Sequence, residues 1–198
     1  MAERRPPAGN AEAAASHQRG LELLRNGNAA RSISEFEQAV RLDSTNAEYL
    51  KNLGNARKAS GDLEGAAASY RRSLEIATDY SPSHYNLGLA LSEMGRLEEA
   101  ERHFRRVYEL DPNDADTLFH LGALLADRSL FAESAQAYRQ ALHLTPDNPY
   151  LWMGLGLASQ GCRTRWRKLS AACGNASSLG PTCPMHITSL ASPAGNSD

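Results

Sequence analysis

One stretch of the chain decides the fold: residues 81–114 read SPSHYNLGLALSEMGRLEEAERHFRRVYELDPND. In this stretch a small residue follows Gly88 by twelve positions, and the aromatic Phe104 follows the glycine by sixteen. The glycine recurs every 34 residues along the chain, at Gly20, Gly54, Gly88, Gly122 and Gly156. A fixed period of this length is typical of a repeat protein in which each unit is one supersecondary structure.

The small and aromatic positions keep the same spacing from the glycine in four units. The small residues are Ser32, Ala66, Ala100 and Ser134, and the aromatic residues are Phe36, Tyr70, Phe104 and Tyr138. Small residues let two helices approach closely, and an aromatic ring fills the gap that remains between them. The pattern therefore predicts a helix–turn–helix unit in each repeat.

This pattern resembles the tetratricopeptide repeat (TPR) family, whose signature is W-x2-L-G-x2-Y, then A-x3-F, then P. The leucine before the glycine is present in four units, the proline in two, at Pro112 and Pro146, and the tryptophan once, at Trp152. The chain is similar to the TPR arms of O-linked N-acetylglucosamine transferases and of other bacterial TPR proteins. The resemblance implies an all-α fold, a right-handed α-solenoid with four complete repeats and half of a fifth.

The repeat also sets the predicted domain organisation. We expect a disordered lead-in over residues 1–11, a solenoid over residues 12–161 and a disordered or weakly structured tail over residues 162–198. The repeats occupy about residues 13–46, 47–80, 81–114, 115–148 and, in part, 149–161. Their helices are predicted at about residues 12–26, 29–42, 47–60, 63–77, 81–94, 97–110, 115–127 and 131–144.

The turns inside the units carry their own signal. Gly27, Gly61 and Gly95 follow the first helix of a unit, where a left-handed backbone conformation ends the helix. Ser129 takes this place in the fourth unit, and we expect a less favourable turn there.

The fifth unit begins with a good first helix, and no pattern for a second helix follows it. This suggests the hypothesis that the chain is a shortened form of a longer repeat protein, through a frameshift or an alternative exon. The coding DNA tests it, because another reading frame past residue 161 should resume the repeat pattern if a frameshift is responsible.

The composition argues against several classes of partner. A net charge of −2 without a basic stripe gives no reason to expect nucleic acid. The longest apolar run, residues 151–158, is too short to span a bilayer, so no membrane is expected. The N-terminus lacks the apolar core of a secretory signal, and we therefore predict a cytoplasmic protein.

The sequence offers no catalytic constellation. The six histidines are scattered without an HExxH motif, and there is no phosphate loop. All three cysteines, Cys162, Cys173 and Cys183, fall in the predicted tail, where we expect free thiols, since the spacing fits neither a disulfide framework nor a compact zinc site. The prediction is a protein that is not an enzyme and needs no cofactor or metal.

The family resemblance implies a concave groove lined by the first helix of each unit. Its candidate peptide-binding residues are Lys51, Asn52, Asn55, Tyr85, Asn86, Leu89, Phe119 and His120. Asparagine amides can both donate to and accept from a peptide backbone, and aromatic rings are typical interface anchors. The alternative is that these residues are consensus positions of the repeat and bind nothing.

TPR proteins that hold the C-terminal carboxylate of chaperones allow a sharper comparison. Their lysine and two asparagines match Lys51, Asn55 and Asn86, but Asp116 and His120 stand where the other cations belong. Carboxylate capture needs paired cationic donors, so this clamp is expected to be incomplete. The groove instead runs from basic residues (Arg25, Lys51, Lys58) to acidic ones (Glu93, Asp116, Asp127).

Three functional hypotheses follow. The first is a protein–protein interaction scaffold that binds a partner peptide or helix in the groove. The second is the truncated N-terminal recognition arm of a larger enzyme, such as a TPR-containing glycosyltransferase. The third is self-association through the uncovered apolar face of the fifth-repeat helix.

Overall fold

The computed structural model describes residues 8–172, and within that range the chain forms nine α-helices and no strand. They are α1 (Ala8–Arg25), α2 (Ala29–Leu42), α3 (Ala47–Ala59), α4 (Leu63–Ile76), α5 (Ser81–Glu93), α6 (Leu97–Leu110), α7 (Ala115–Asp127), α8 (Phe131–Leu144) and α9 (Pro149–Ala172). Each helix packs against the next one along the chain, which is the quasi-linear order of a solenoid. The predicted all-α solenoid, with four helix pairs and the first helix of a fifth, is confirmed.

The helices from α2 to α8 begin and end close to their predicted bounds, and local side chains cap the first turns of α2, α3, α4 and α7, whereas α5, α6 and α8 have no side-chain cap among the described residues. Asp114 accepts hydrogen bonds from the backbone N–H groups of Asp116 at 3.1 Å and Thr117 at 3.2 Å. Asn46 and Asp62 cap α3 and α4 in the same way. Each of these bonds satisfies a donor that the first turn of a helix leaves without an intrahelical partner.

The turns inside the units have the predicted left-handed backbone. Gly27, Gly61 and Gly95 have φ angles of 75°, 86° and 75°. Ser129 has a φ angle of 61°, so the fourth unit does place a side chain where the backbone favours glycine. Such a conformation costs an L-residue roughly 1–2 kcal/mol, which makes this turn the less favourable one.

Two predicted boundaries differ from the structure. Helix α1 begins at Ala8, inside the predicted lead-in, because alanine is the strongest helix former and residues 11–15 hold four of them. Helix α9 continues through residues 162–172, where the sequence predicts a disordered or weakly structured tail. These residues contain neither glycine nor proline, and seven of the eleven, at positions 163, 165, 167, 168, 169, 171 and 172, are arginine, lysine, leucine or alanine, so the helix propagates without an apolar stripe. The rest of the predicted lead-in and tail, residues 1–7 and 173–198, lies outside the described residues.

The predicted free thiol at position 162 is also wrong. Cys162 is buried on α9 and is disulfide-bonded. An odd number of widely spaced cysteines concealed this bond, because sequence spacing does not report which side chains come together in space. Cys173 and Cys183 lie outside the described residues.

The core is built from one contact repeated in every helix pair, between the aromatic ring of the second helix and the repeat glycine of the first. A Cβ atom added to Gly54 would lie 2.4 Å from the ring of Tyr70, and one added to Gly88 would lie 2.9 Å from Phe104. Tyr70 is 0% exposed and Phe104 is 1% exposed. The ring therefore touches the backbone of the facing helix, and glycine is the residue that permits this approach.

We expect Gly54→Ala to destabilise the fold by about 1–3 kcal/mol, because the added methyl group overpacks against Tyr70. Gly156 is the matched control. It holds the same place in the fifth unit, but no atom of the described residues lies within 4 Å of an added Cβ. Gly156→Ala should leave stability unchanged or raise it by up to about 1 kcal/mol, since alanine is the better helix former. Urea unfolding measures both, and equal losses would show that the ring contact does not set the requirement for glycine.

A histidine pair joins α5 to α6 beside this core. His84 Nε2 lies 2.9 Å from the carbonyl oxygen of Thr78, and His84 Nδ1 lies 2.9 Å from His103 Nδ1. With both rings neutral, His84 donates to Thr78 and accepts from His103. Burial, followed by the neighbouring His84 and the arginine cations, lowers the pKa of His103 from 6.5 to about 4.

This depressed pKa makes the fold sensitive to acid. The unfolded chain binds a proton at position 103 near pH 6.5 while the folded chain resists protonation until about pH 4, so stability is lost as the pH falls through this window. His103→Gln should reduce that loss by on the order of 1 kcal/mol, after allowance for solvent screening. Urea unfolding across this pH range measures it. The exposed His143, replaced by Gln, is the control, and an equal effect there would contradict the prediction.

Candidate peptide-binding groove

The first helices of the units lie side by side along one face of the solenoid. Helix α1 contacts α3, α3 contacts α5, and α7 contacts α9, whereas the second helices of neighbouring units do not pack on one another to this extent. The solenoid therefore curves toward the first helices, and their shared face is its inner surface. Eight candidate residues lie on three of these helices: Lys51, Asn52 and Asn55 on α3, Tyr85, Asn86 and Leu89 on α5, and Phe119 and His120 on α7.

The structure divides these residues into two groups, and the first is a chain of hydrogen bonds that we call the amide relay. The hydroxyl of Tyr70 donates to Asn55 Oδ1 at 2.8 Å. Asn55 Nδ2 approaches Asn52 Oδ1 at 3.5 Å, and Asn52 Nδ2 lies 2.6 Å from His17 Nε2. Burial raises the pKa of the Tyr70 hydroxyl, so the proton that begins the relay is retained. The relay connects α4, α3 and α1.

The relay fixes the protonation state of His17. An amide nitrogen only donates, so His17 Nε2 must accept and the ring must be neutral. Burial is the main cause that lowers the pKa of His17, and the opposing charge of Glu48 is smaller. The ring also packs 4.7 Å from the ring of Tyr49. Asn52 is 4% exposed, so its amide already serves the contact between two units and is not open to a ligand.

The second group is an aromatic cluster of Tyr85, Phe104, Phe119 and His120. The ring of His120 lies in its centre, 5.6 Å from Tyr85 and 5.3 Å from Phe119, both edge to face. The ring of Phe104 stacks on His120 at 5.9 Å with an interplanar angle of 11°. Burial is the first cause that lowers the pKa of His120, so the ring is neutral at pH 7. Tyr85, Phe119 and His120 remain partly exposed, which leaves an apolar surface on the inner face.

Asn86 lies next to this cluster on α5. It is partly exposed, and its side chain makes no hydrogen bond to any other residue that the structure describes. Leu89, one turn further along α5, packs partly against the core and borders the same surface. The unbonded amide of Asn86 therefore lies beside the apolar surface that Tyr85 and Leu89 form on α5.

The predicted change from a basic to an acidic groove is only partly present. Lys58 Nζ lies 2.9 Å from Glu93 Oε1, so an ion pair between α3 and α5 neutralises one cation of the basic end. Lys51 lies 3.9 Å from Glu48, which weakens its charge as well. Asp116 is exposed on α7, and its charge contributes to raising the pKa of Tyr85, after the larger effect of burial. The aromatic end of the groove is therefore acidic, while at the other end two of the three cations have acidic partners and Arg25 is exposed without an ion pair among the described residues.

The chaperone-type clamp is incomplete in geometry as it is in sequence. Asn55 is engaged by Tyr70, and His120 supplies no cation because burial lowers its pKa. Asp116, in the remaining cationic position, would repel a bound carboxylate.

Two kinds of feature are absent from the described part of the chain. Among residues 8–172, no three or more histidine, cysteine, aspartate or glutamate side chains are grouped as metal ligands would be. No helix in the same part of the chain combines the length and the apolar character needed to cross a bilayer.

Sequence comparison places the chain in a family. A family profile described as tetratricopeptide repeat matches residues 17–82 and 85–158, and a second profile with the same description matches residues 52–113. These matches cover most of the solenoid, and the chain belongs to the tetratricopeptide repeat family.

Individual relatives agree with this assignment. The TPR repeat-containing protein PA4299 of Pseudomonas aeruginosa is 39% identical over 62 residues, which is 31% of this chain and only 25% of that protein. The crystal structure of MamA has a TM-score of 0.73 at 20% identity, over 82% of this chain and 88% of MamA. The structure of YrrB, described as a TPR protein with an unusual peptide-binding site, has a TM-score of 0.67 at 19% identity, over 78% of this chain and 80% of YrrB. At such identities the structural likeness shows the fold alone.

Sequence reasoning did not predict which residues the candidate residues contact, although the 34-residue repeat period indicates these contacts. His17 and Asn52 are 35 residues apart, which is one period plus one residue. The same separation joins Lys58 to Glu93 and Tyr85 to His120. A residue on one first helix therefore meets the residue 35 positions later on the next first helix.

The two asparagines that precede Leu-Gly provide a matched test of this division. We expect Asn52→Ala to destabilise the fold by about 1–3 kcal/mol, because it removes a buried amide and leaves His17 without its donor. Asn86→Ala should change stability by less than about 0.5 kcal/mol, since its amide has no partner within the described residues. Thermal and urea unfolding measure both variants, and similar losses would mean that the relay does not hold the units together.

Proposed function

We propose that this protein is an interaction scaffold that binds an extended partner peptide on the aromatic cluster of its inner face. The observation that carries the proposal is that Asn86, with donor and acceptor groups unused, directly follows Tyr85, whose partly exposed ring belongs with Phe119 to the cluster around His120. An amide in this state can form a two-pronged hydrogen bond with a peptide group, and the rings can take an apolar side chain. The inner surface of a repeat solenoid is the part that such proteins use for binding.

The charges near the cluster indicate the chemistry of the peptide. Asp116 and Asp127 are exposed on α7, and neither forms an ion pair with another described residue. Lys58, the nearest cation along the groove, is already paired with Glu93. The complementary ligand is therefore an extended segment with an aromatic or large aliphatic side chain close to a lysine or arginine. We place this activity in the cytoplasm, as the sequence predicts.

A display library of short extended peptides tests this proposal on the full chain. The wild-type chain should enrich peptides that combine an apolar anchor with a basic residue. Asn86→Ala should weaken the best of them by about tenfold, which corresponds to roughly 1.4 kcal/mol. Asp116→Lys should move the preference toward acidic peptides, and both variants should fold as the wild type does, because neither side chain is buried. The measurement is fluorescence polarisation of the enriched peptide.

Arg72→Ala, an exposed change on α4 outside the inner face, is the control and should bind as the wild type does. An unaltered peptide preference in both groove variants would identify these residues as consensus positions without a binding role. In the recognition-arm hypothesis the same groove binds the peptide, and the catalytic domain of the larger enzyme lies outside the described residues. This experiment therefore also decides whether the groove could serve such an arm.

A further inference from the structure

A second surface, on α9, differs from its counterparts in the other units. Gly156 is the fifth repeat glycine, and no atom of the described residues lies within 4 Å of a Cβ built on it. At Gly20, Gly54, Gly88 and Gly122 the same atom would meet a ring at 3.0 Å or less. Trp152, one turn earlier on the same side of the helix, is 50% exposed, whereas its equivalents Leu50 and Leu118 are each 1% exposed. We call the surface formed by Trp152, Leu155, Gly156 and Ser159 the open face.

The open face is separate from the inner groove. Tyr150, Met153 and Leu157 are spaced by three and four residues, and they continue the line of first-helix positions that form the inner surface. Gly156 lies about 60° from Met153 and at least about 100° from Tyr150 and Leu157 around the helix, on the side that the first helix of every other unit turns toward its own second helix. The two surfaces can therefore be altered independently.

In the four complete units the equivalent face is covered by the second helix of the same unit. In each complete unit the covering helix presents an aromatic residue to the glycine, and a small residue stands one turn before it, as Ala100 stands before Phe104. The small residue lets the helix come close. In the fourth unit, the hydroxyl of Ser134 donates to the carbonyl oxygen of Gly122 at 2.7 Å. The open space beside Gly156, which we call the hollow, can therefore take the aromatic ring of a helix in which a small residue is followed four positions later by phenylalanine or tyrosine.

The anchor beside the hollow is held in place. Trp152 Nε1 donates to the carbonyl oxygen of Pro146 at 2.9 Å, which fixes the indole while half of its surface remains exposed. A large ring whose polar group is already satisfied loses little freedom on binding and can bury its apolar face.

The basic residues of α9 favour a binding helix that carries acidic residues. The sequence of α9 contains four basic residues, all within residues 163–168, and no acidic residue. Three of the four helices that cover the equivalent faces, α4, α6 and α8, have at least one glutamate in the first turn, whereas α2 has none. Paired helices joined by a short turn run antiparallel, so a covering helix brings its acidic first turn to the C-terminal half of the first helix. On α9 that half is basic, which favours an acidic N-terminal turn in the occupant.

We propose that the open face of α9 binds an amphipathic helix of another protein, antiparallel to α9, with an acidic first turn and a small residue followed four positions later by phenylalanine or tyrosine. The helix completes the fifth unit in trans. Its aromatic ring seats on Gly156, and its apolar face covers Trp152 and Leu155.

The probe is a stapled peptide with the sequence of Leu97–Leu110, which carries every feature named above. Stapling is needed because a helix of this length is marginal in water. Trp152 reports binding by fluorescence in the full chain once Trp166, the other of its two tryptophans, is replaced by phenylalanine. The peptide should shift the emission of Trp152 saturably, and the same peptide with Phe104→Ala should bind at least about tenfold more weakly.

Gly156→Leu in the full chain fills the hollow and should abolish binding of the peptide. The folded chain should tolerate this change, because the site of the new side chain is open, and urea unfolding checks that it does. Met153→Ser, on the inner surface of the same helix, is the matched control and should bind the peptide as before. Equal binding by the wild-type and Gly156→Leu chains, or equal loss in both variants, would overturn the proposal.

The competing occupant of the open face is a second copy of this chain, as in the hypothesis of self-association through the fifth-repeat helix. Sedimentation equilibrium of the full chain distinguishes the two. A monomer at high concentration supports the proposal, whereas a dimer that Gly156→Leu dissociates would overturn it in favour of the second copy.

Discussion

The contact between a repeat glycine and the aromatic ring of the following helix is the constraint on which the rest of the structure depends. Because the ring of Tyr70 or Phe104 touches the backbone of the facing helix, the two helices of a unit can pack at only one distance and in one register. Every complete unit then has the same shape, and identical units stacked in the same way must form a regular solenoid. The inner face and the order of contacts are consequences of this one choice of residues.

Regular stacking gives the inner face its own rule, in which residues 35 positions apart become neighbours. The three such pairs have different chemistry: an amide with an imidazole at Asn52, an ion pair at Lys58, and two aromatic rings at Tyr85. In each of the first two pairs the two side chains bond to each other, so few of their polar groups remain open to a ligand. The third leaves apolar surface exposed beside an unused amide, and the proposed peptide site therefore lies on α5 and α7.

The features that sequence reasoning predicted well are those set by local chemistry. Caps such as Asp114 and turn glycines such as Gly61 act within one turn of the helix that they end or begin, and the helix bounds followed from them. The state of a groove residue is not local. Asn52 and Asn86 have the same neighbours in sequence, Asn-Leu-Gly, yet one amide is buried against His17 and the other is unused, because the residue 35 positions earlier differs. The continuation of α9 was missed for a third reason: helix propensity extended it where no periodic apolar stripe marked it.

Helix α9 connects the proposed open face to the inner groove. In a solenoid, stability is approximately a sum over units and their nearest neighbours, and α9 packs on α8 and α7 without a second helix of its own unit among the described residues. A helix bound at Gly156 would supply the missing neighbour and stabilise α9 by mass action. Gly154, on the side of α9 that faces α8, packs against Tyr138, whose ring in turn lies 6.1 Å from Phe119 in the groove. A helix bound on the open face would order α9, and through the contacts of Gly154 with Tyr138 and of Tyr138 with Phe119 it would also order the aromatic cluster. A peptide in the groove would then bind to a more rigid aromatic cluster when the fifth unit is complete.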